Sequence, residues 1–252
     1  MEISRSAKLG LFDQIKEDFN VPKHNDPALN SKLEIIFNYP GVWAIINYRV
    51  ANKLYVNGFK KIARIYSGIS QFLTNIDIHP AATIGRRVFI DHGIGVVIGE
   101  TTIIEEDVLI YQGVTLGGVS LNKGKRHPTV RANSVIGSGA KVLGNITIGT
   151  SSKIGANSVV IADVPDYTTA VGIPAKIVKR YDHLGKFTHS DLPDIDKEAF
   201  KYLNERIELL EKILKDSEII SEEVINEIHK NKDKKNINFD LLDGYFIDGA
   251  GI

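Results

Sequence analysis

Cysteine is absent from the 252 residues, and the single methionine is Met1. That absence removes disulfides, iron–sulfur clusters, thiolate zinc sites and any cysteine nucleophile together. A metal would have to rest on His and carboxylates. An excess of either charge is also missing, since 31 Lys+Arg face 31 Asp+Glu. The broad basic surface that supplies non-specific nucleic-acid affinity is therefore not expected. No stretch approaches the roughly 20 apolar residues of a membrane span, and MEISRSAKLGLFDQIKEDF lacks an apolar signal core. The expectation is a cytoplasmic protein with neither nucleic acid nor membrane as partner. What is present, 43% hydrophobic and 25% charged residues, suffices for one large or two modest cores.

An internal repeat dominates the middle of the chain. An aliphatic residue recurs every six positions at Ile78, Ile84 and Ile90, then Ile98, Ile104, Ile110 and Leu116, then Val130, Ile136, Val142, Ile148, Ile154 and Val160. Glycine often follows it, and the fifth place is small or β-branched, as at Ala82, Thr102, Ser134 and Ser152. The period is neither helical nor that of a half-buried strand. Each hexad reads as a short strand plus a tight corner, and three of them close an 18-residue triangular coil that stacks on the next at about 4.8 Å. This is a parallel β-helix. Residues 1–75 lack the hexad, and their apolar positions fall at helical spacing, punctuated by Pro40 and Gly58. Trp43 and Tyr48 are read as helical packing. Downstream, Phe200, Leu203, Ile207, Leu210 and Leu214 form a two-heptad seam. A second short helix, a Lys-rich run and an aperiodic tail follow.

The hexad breaks twice, and both breaks carry histidine beside a charged residue. The step from Ile90 to Ile98 is eight and holds Asp91 and His92; the step from Leu116 to Val130 is fourteen and holds Arg126 and His127. Insertions in solenoids collect on a binding face. Two look-alikes fail on spacing: GIGVVIG is one residue too long for a dinucleotide fingerprint, and GVSLNKGKR does not match a phosphate-binding loop.

The runs DIHPAATIG, IDHGIGVVIGET, YQGVTLGG, GKRHPTV, GAKVLGNITIG and VPDYTTAVGIPAKIV resemble serine O-acetyltransferases over roughly residues 26 to 180. The resemblance implies an α+β chain: an N-terminal helical domain (1–75), a left-handed parallel β-helix (76–180), and a C-terminal helix with a flexible tail (181–252). It also implies a homo-oligomer, either a trimer or a dimer of trimers. Other hexapeptide acyltransferases share the repeat, as does a carbonic anhydrase type that needs three converging His ligands; only His92 and His127 occupy the breaks.

Acyl transfer from a thioester to an alcohol needs a base, because a free hydroxyl is a poor nucleophile at neutral pH. His92 suits that task. Asp77, about one coil earlier, could fix its tautomer, and the resemblance implies the same dyad. Free serine is a zwitterion, so its pocket should offer a guanidinium and carboxylates. Laid on this sequence, the family motif gives Arg126 for the carboxylate and Asp91 and Asp26 for the ammonium. His127 is placed to bond the substrate or the tetrahedral oxyanion. For acetyl-CoA, a co-substrate rather than a resident cofactor, the matching positions are Gly118, Gly137, Ser138, Lys153 and Ala156. Val119 to Asn122 depart from the family pattern. No metal is implied, and His24, His79, His183, His189 and His229 are read as surface or packing residues. L-cysteine should inhibit, and the C-terminal DGAGI resembles tails whose terminal isoleucine, here Ile252, enters O-acetylserine sulfhydrylase.

Overall fold

The computed structural model describes residues 10–180 and 195–216, which belong to separate compact units. The first unit opens with α1 (Leu11–Asn20), α2 (Pro22–Asn25), α3 (Lys32–Asn38), α4 (Pro40–Val56) and α5 (Lys60–Thr74). Proline pre-sets the first turn of α4, and Gly58, at φ 92°, makes the reversal into α5.

The hexads then wind as the spacing predicts. The first coil is β1 (Asp77–Ile78), β2 (Thr83–Ile84) and β3 (Phe89–Ile90), and the second is β4 (Val97–Ile98), β5 (Ile103–Ile104) and β6 (Leu109–Ile110). The third is β7 (Thr115–Gly117), β8 (Thr129–Val130) and β9 (Val135–Ile136), and the fourth is β10 (Lys141–Leu143), β11 (Thr147–Ile148) and β12 (Lys153–Ile154). Three more strands, β13 (Val159–Val160), β14 (Thr168–Gly172) and β15 (Ala175–Arg180), finish the unit. The first side of the prism is β1-β4-β7-β10-β13, the second β2-β5-β8-β11, and the third β3-β6-β9-β12-β14, edged by an antiparallel β15.

Every hexad aliphatic from Ile78 to Val160 points inward and is at most 7% exposed. Burying each contributes about 1.5–3 kcal/mol, so the repeat is itself the core. The strand register reports the two breaks directly. Val97 pairs with Thr115, an offset of 18, whereas Asp77 pairs with Val97, an offset of 20, and Ile103 with Thr129, an offset of 26. The insertions bulge out at corners and leave the interior stack intact.

The open upper edge of the first coil would present unpaired carbonyls, and α4 covers it. Tyr48 donates to the Ala82 carbonyl at 2.6 Å and accepts from the Ile84 N–H at 3.1 Å. Arg49 donates to the carbonyls of Ile84 and Gly85, both at 2.6 Å, and pairs with Asp18 of α1 at 2.9 Å. Tyr48 is buried as expected, while Trp43 stays partly exposed and bonds the Ile36 carbonyl at 2.8 Å.

In the second unit, α6 (Ile195–Asp216) carries the seam, with Leu203, Ile207 and Leu210 about half exposed. The helix beyond Ser221, the tail with Ile252, and His183, His189 and His229 lie outside the described residues. Among the described residues no helix is long and apolar enough to cross a membrane, and no three His, Cys, Asp or Glu converge as metal ligands.

Candidate active site

The two breaks sit at two different corners of the prism. Asp91 and His92 lie between β3 and β4, where the third side turns into the first. The extra residues fit because the backbone turns left-handed at His92 (φ 57°), Gly93 (φ 75°) and Gly95 (φ 77°). His92 pays for this in mild backbone strain. Its side chain is 74% exposed and stands free of the wall, with Nε2 3.9 Å from Asp91 Oδ2.

Asp26, far off in sequence, arrives at the same corner from the end of α2. Its Oδ1 accepts from the Ala28 N–H at 2.7 Å and its Oδ2 from the Tyr39 hydroxyl at 2.6 Å. The Tyr39 bond holds this carboxyl below its ordinary range, and the nearby His92 acts in the same direction. Burial, reinforced by Asp26 and Asp91, raises the Tyr39 and Tyr111 hydroxyls. Two carboxylates, two phenols and one imidazole thus share this corner.

Arg126 and His127 end the long loop between β7 and β8, where the first side turns into the second. Arg126 Nη2 donates to Glu100 Oε2 at 2.6 Å, a bond that lowers the Glu100 pKa. His127 is 8% exposed and its Nδ1 accepts from the Thr101 N–H at 3.2 Å. Thr101 Oγ1 accepts the backbone N–H of Arg126 (3.0 Å) and of His127 (3.1 Å), and lies 2.8 Å from His127 Nδ1. With those acceptor positions used, the threonine proton points at Nδ1, so the assigned ring proton belongs on Nε2. Burial, then the charges of Arg126 and Lys125, lowers the His127 pKa, so at neutral pH the ring is an uncharged Nε2–H donor. Gly99 makes room for it, since a Cβ there would lie 2.0 Å from the ring.

Asp77 opens β1 on the side between these corners and stacks on Val97. No hydrogen bond joins its carboxylate to His92 within one chain. His92 lies in the corner five residues before Val97, the residue that pairs with Asp77, and the charge of Asp77 falls on His79. His79 itself packs edge-on against Tyr55 and accepts from the Ala81 N–H at 3.0 Å, while His24 is exposed.

Of the five acetyl-CoA positions, Gly137, Ser138, Lys153 and Ala156 gather on adjoining coils. The Gly137 N–H bonds the Ile154 carbonyl at 2.9 Å, and a Cβ on Gly137 would lie 2.7 Å from the Ala156 nitrogen. Gly137, Ser138 and Ala156 follow third-side strands, so they run down the same corner as His92. Gly118 stands apart, with its Cβ position 3.1 Å from Arg126 and 3.2 Å from His127. Val119 and Leu121 just beyond it are exposed.

No family model matches the chain. Individual proteins do. A serine acetyltransferase of Bacillus subtilis (strain 168) is 50% identical over 207 residues, spanning 81% of this chain and 95% of that relative. The chain belongs to the serine acetyltransferase family. A solved serine acetyltransferase in complex with cysteine superposes with a TM-score of 0.66 at 43% identity, covering 69% of this chain and 73% of that one. Another, in complex with CoA, gives 0.63 at 42% identity, covering 69% and 72%. Like other serine acetyltransferases, the chain is an acyltransferase built on a left-handed β-helix.

Reading the residues alone missed Tyr39, Glu100, Thr101 and Tyr111. For Thr101 a signal existed: it precedes His127 by 26 residues, the coil offset that the long loop imposes between Ile103 and Thr129. Nothing in the repeat marks Tyr39, which lies in the helical part.

Proposed function

We propose that the chain transfers the acetyl group of acetyl-CoA to the hydroxyl of L-serine, giving O-acetyl-L-serine and CoA, the first step of cysteine synthesis from serine. The observation that carries this reading is the sorting of charge. Carboxylates Asp26 and Asp91 stand with His92 at one corner, and Arg126 stands with an uncharged His127 at the next. A zwitterion is matched by that pair of corners, Arg126 taking its carboxylate and Asp26 and Asp91 its ammonium. His92 takes the serine hydroxyl proton as the oxygen attacks the thioester carbon. His127 Nε2–H donates to the oxyanion of the tetrahedral adduct. The C–S bond then breaks, and the CoA sulfur leaves with the proton held by His92. Because the thioester is already activated, no covalent enzyme intermediate is required.

The corners flank one side of the same prism, so a single chain presents two half-sites. The reading is a homotrimer, or a pair of trimers, in which Asp26, Asp91 and His92 of one copy face Asp77, Arg126 and His127 of its neighbour. There Asp77 orients the neighbouring His92, and acetyl-CoA runs between prisms along Gly118, Gly137, Ser138, Lys153 and Ala156. The helical part (1–75), prism (76–180) and tail (181–252) act as three domains of a cytoplasmic enzyme. L-cysteine, shaped like serine, competes for the Arg126 and Asp91 pocket, and Ile252 docks the tail into O-acetylserine sulfhydrylase. A CoA-release assay over an amino-acid panel tests the activity: serine should be preferred, with cysteine raising its KM alone, whereas faster turnover of homoserine would redirect the assignment. Removing Ile252 should abolish co-purification with the sulfhydrylase and spare turnover; unchanged association would refute the docking.

A further inference from the structure

Asp26 has to do something difficult for a half-buried carboxylate at the protein surface: stay ionised and stay aimed. It lies on a short connection after a four-residue helix, outside the prism that fixes Asp91 and His92. Left alone, such a side chain samples several rotamers and forfeits part of its interaction with a ligand to ordering. Here both oxygens are tied. The Ala28 N–H takes Oδ1 in a local turn, but that bond moves with the connection. The Tyr39 hydroxyl reaches Oδ2 at 2.6 Å from a separate element, at the point where Pro40 begins α4. Helix α4 is the element bonded to the first coil through Tyr48 and Arg49, so Tyr39 connects Asp26 to the rigid prism. Each carboxylate oxygen keeps a second lone pair for another donor.

We propose that Tyr39 is a positioning residue of the amino-acid pocket, holding the Asp26 carboxylate at the orientation in which it receives the substrate ammonium beside Asp91. This rests on the reading of Asp26 and Asp91 as the ammonium acceptors. Tyr39 touches Asp26 and not the reacting atoms, so its loss weakens serine binding and leaves the chemical step alone. Tyr39 and His92 act on this carboxylate, its charge is felt by Tyr111, and the Tyr39 hydroxyl bonds it at 2.6 Å.

The test is steady-state kinetics of the full-length assembled enzyme, with each substrate varied at saturation of the other. Tyr39→Phe keeps the ring and removes only the hydroxyl. A hydrogen bond to a charged group is worth enough that serine KM should rise roughly tenfold, with kcat and the acetyl-CoA KM within about twofold. Asp26→Asn should raise serine KM at least as much, and the double variant should be no worse than Asp26→Asn alone. An unchanged serine KM in Tyr39→Phe beside a raised one in Asp26→Asn overturns the positioning role and leaves the pocket standing. Unchanged serine KM in both variants overturns the pocket reading and the inference with it. A parallel loss of kcat and of both KM values in Tyr39→Phe would mark a merely structural residue, and also overturns it.

Discussion

Thr101 and His127 form a closed exchange of hydrogen bonds across one coil of the prism. The threonine N–H meets His127 Nδ1 at 3.2 Å, its hydroxyl lies 2.8 Å from the same nitrogen, and that hydroxyl takes the His127 N–H at 3.1 Å. One residue therefore fixes the ring's tautomer and the backbone that carries it. Thr101→Val should lower kcat/KM about tenfold or more, because it takes the hydroxyl away from Nδ1 and leaves the Arg126 and His127 N–H groups without their acceptor. Thr101→Ser should restore most of the rate, since it keeps the hydroxyl. Equal activity of the Val and Ser variants would mean that the hydroxyl has no role.

The proposed division of the site between two copies makes a sharper demand. His92→Ala and Arg126→Ala should each be inactive as pure proteins. Co-expressed, they should regain activity, because random assembly of a ring restores about a quarter of the interfaces to a full residue set. Mixtures no more active than the parents would place the complete site in one chain.

Two histidines give the fold a pH dependence of defined sign. Burial lowers the pKa of both His79 and His127, reinforced by Arg64 at the first and by Arg126 and Lys125 at the second. The unfolded chain takes up protons near the ordinary value of 6.5, while the folded chain takes them up only at lower pH. Stability is thus fully present above that value and declines as pH falls below it. Melting temperature should drop between pH 7.5 and about 5.5, and His79→Gln should flatten the decline. A melting temperature that rises over the same interval contradicts the assignment.

What could be read before folding, and what could not, follows from the repeat. The thirteen hexad aliphatics place themselves, because each hexad turns its aliphatic residue into the triangular core and buries a small or β-branched fifth-place residue beside it. The breaks announce the site for the same reason, since Asp91, His92, Arg126 and His127 occupy the two interruptions of the hexad between Ile78 and Val160. Contacts across coils depend instead on the insertion lengths. Asp77 pairs with Val97, five residues beyond His92, and even an uninterrupted 18-residue coil would have set position 95 against it. The same arithmetic, carried through the long loop, brings Thr101 to His127. Tyr39 and Asp26 follow no period at all; their bond depends on how α2, α3 and α4 pack, which is tertiary information.

The central claim is that His92 is the base for acetyl transfer to serine. The measurement that tests it most directly is CoA release at saturating serine and acetyl-CoA, comparing the wild-type chain with His92→Ala. Loss of a positioned general base should lower kcat by about 10²- to 10⁴-fold, with the fold intact and acetyl-CoA still bound. A His92→Ala enzyme that keeps most of the wild-type rate would contradict the account.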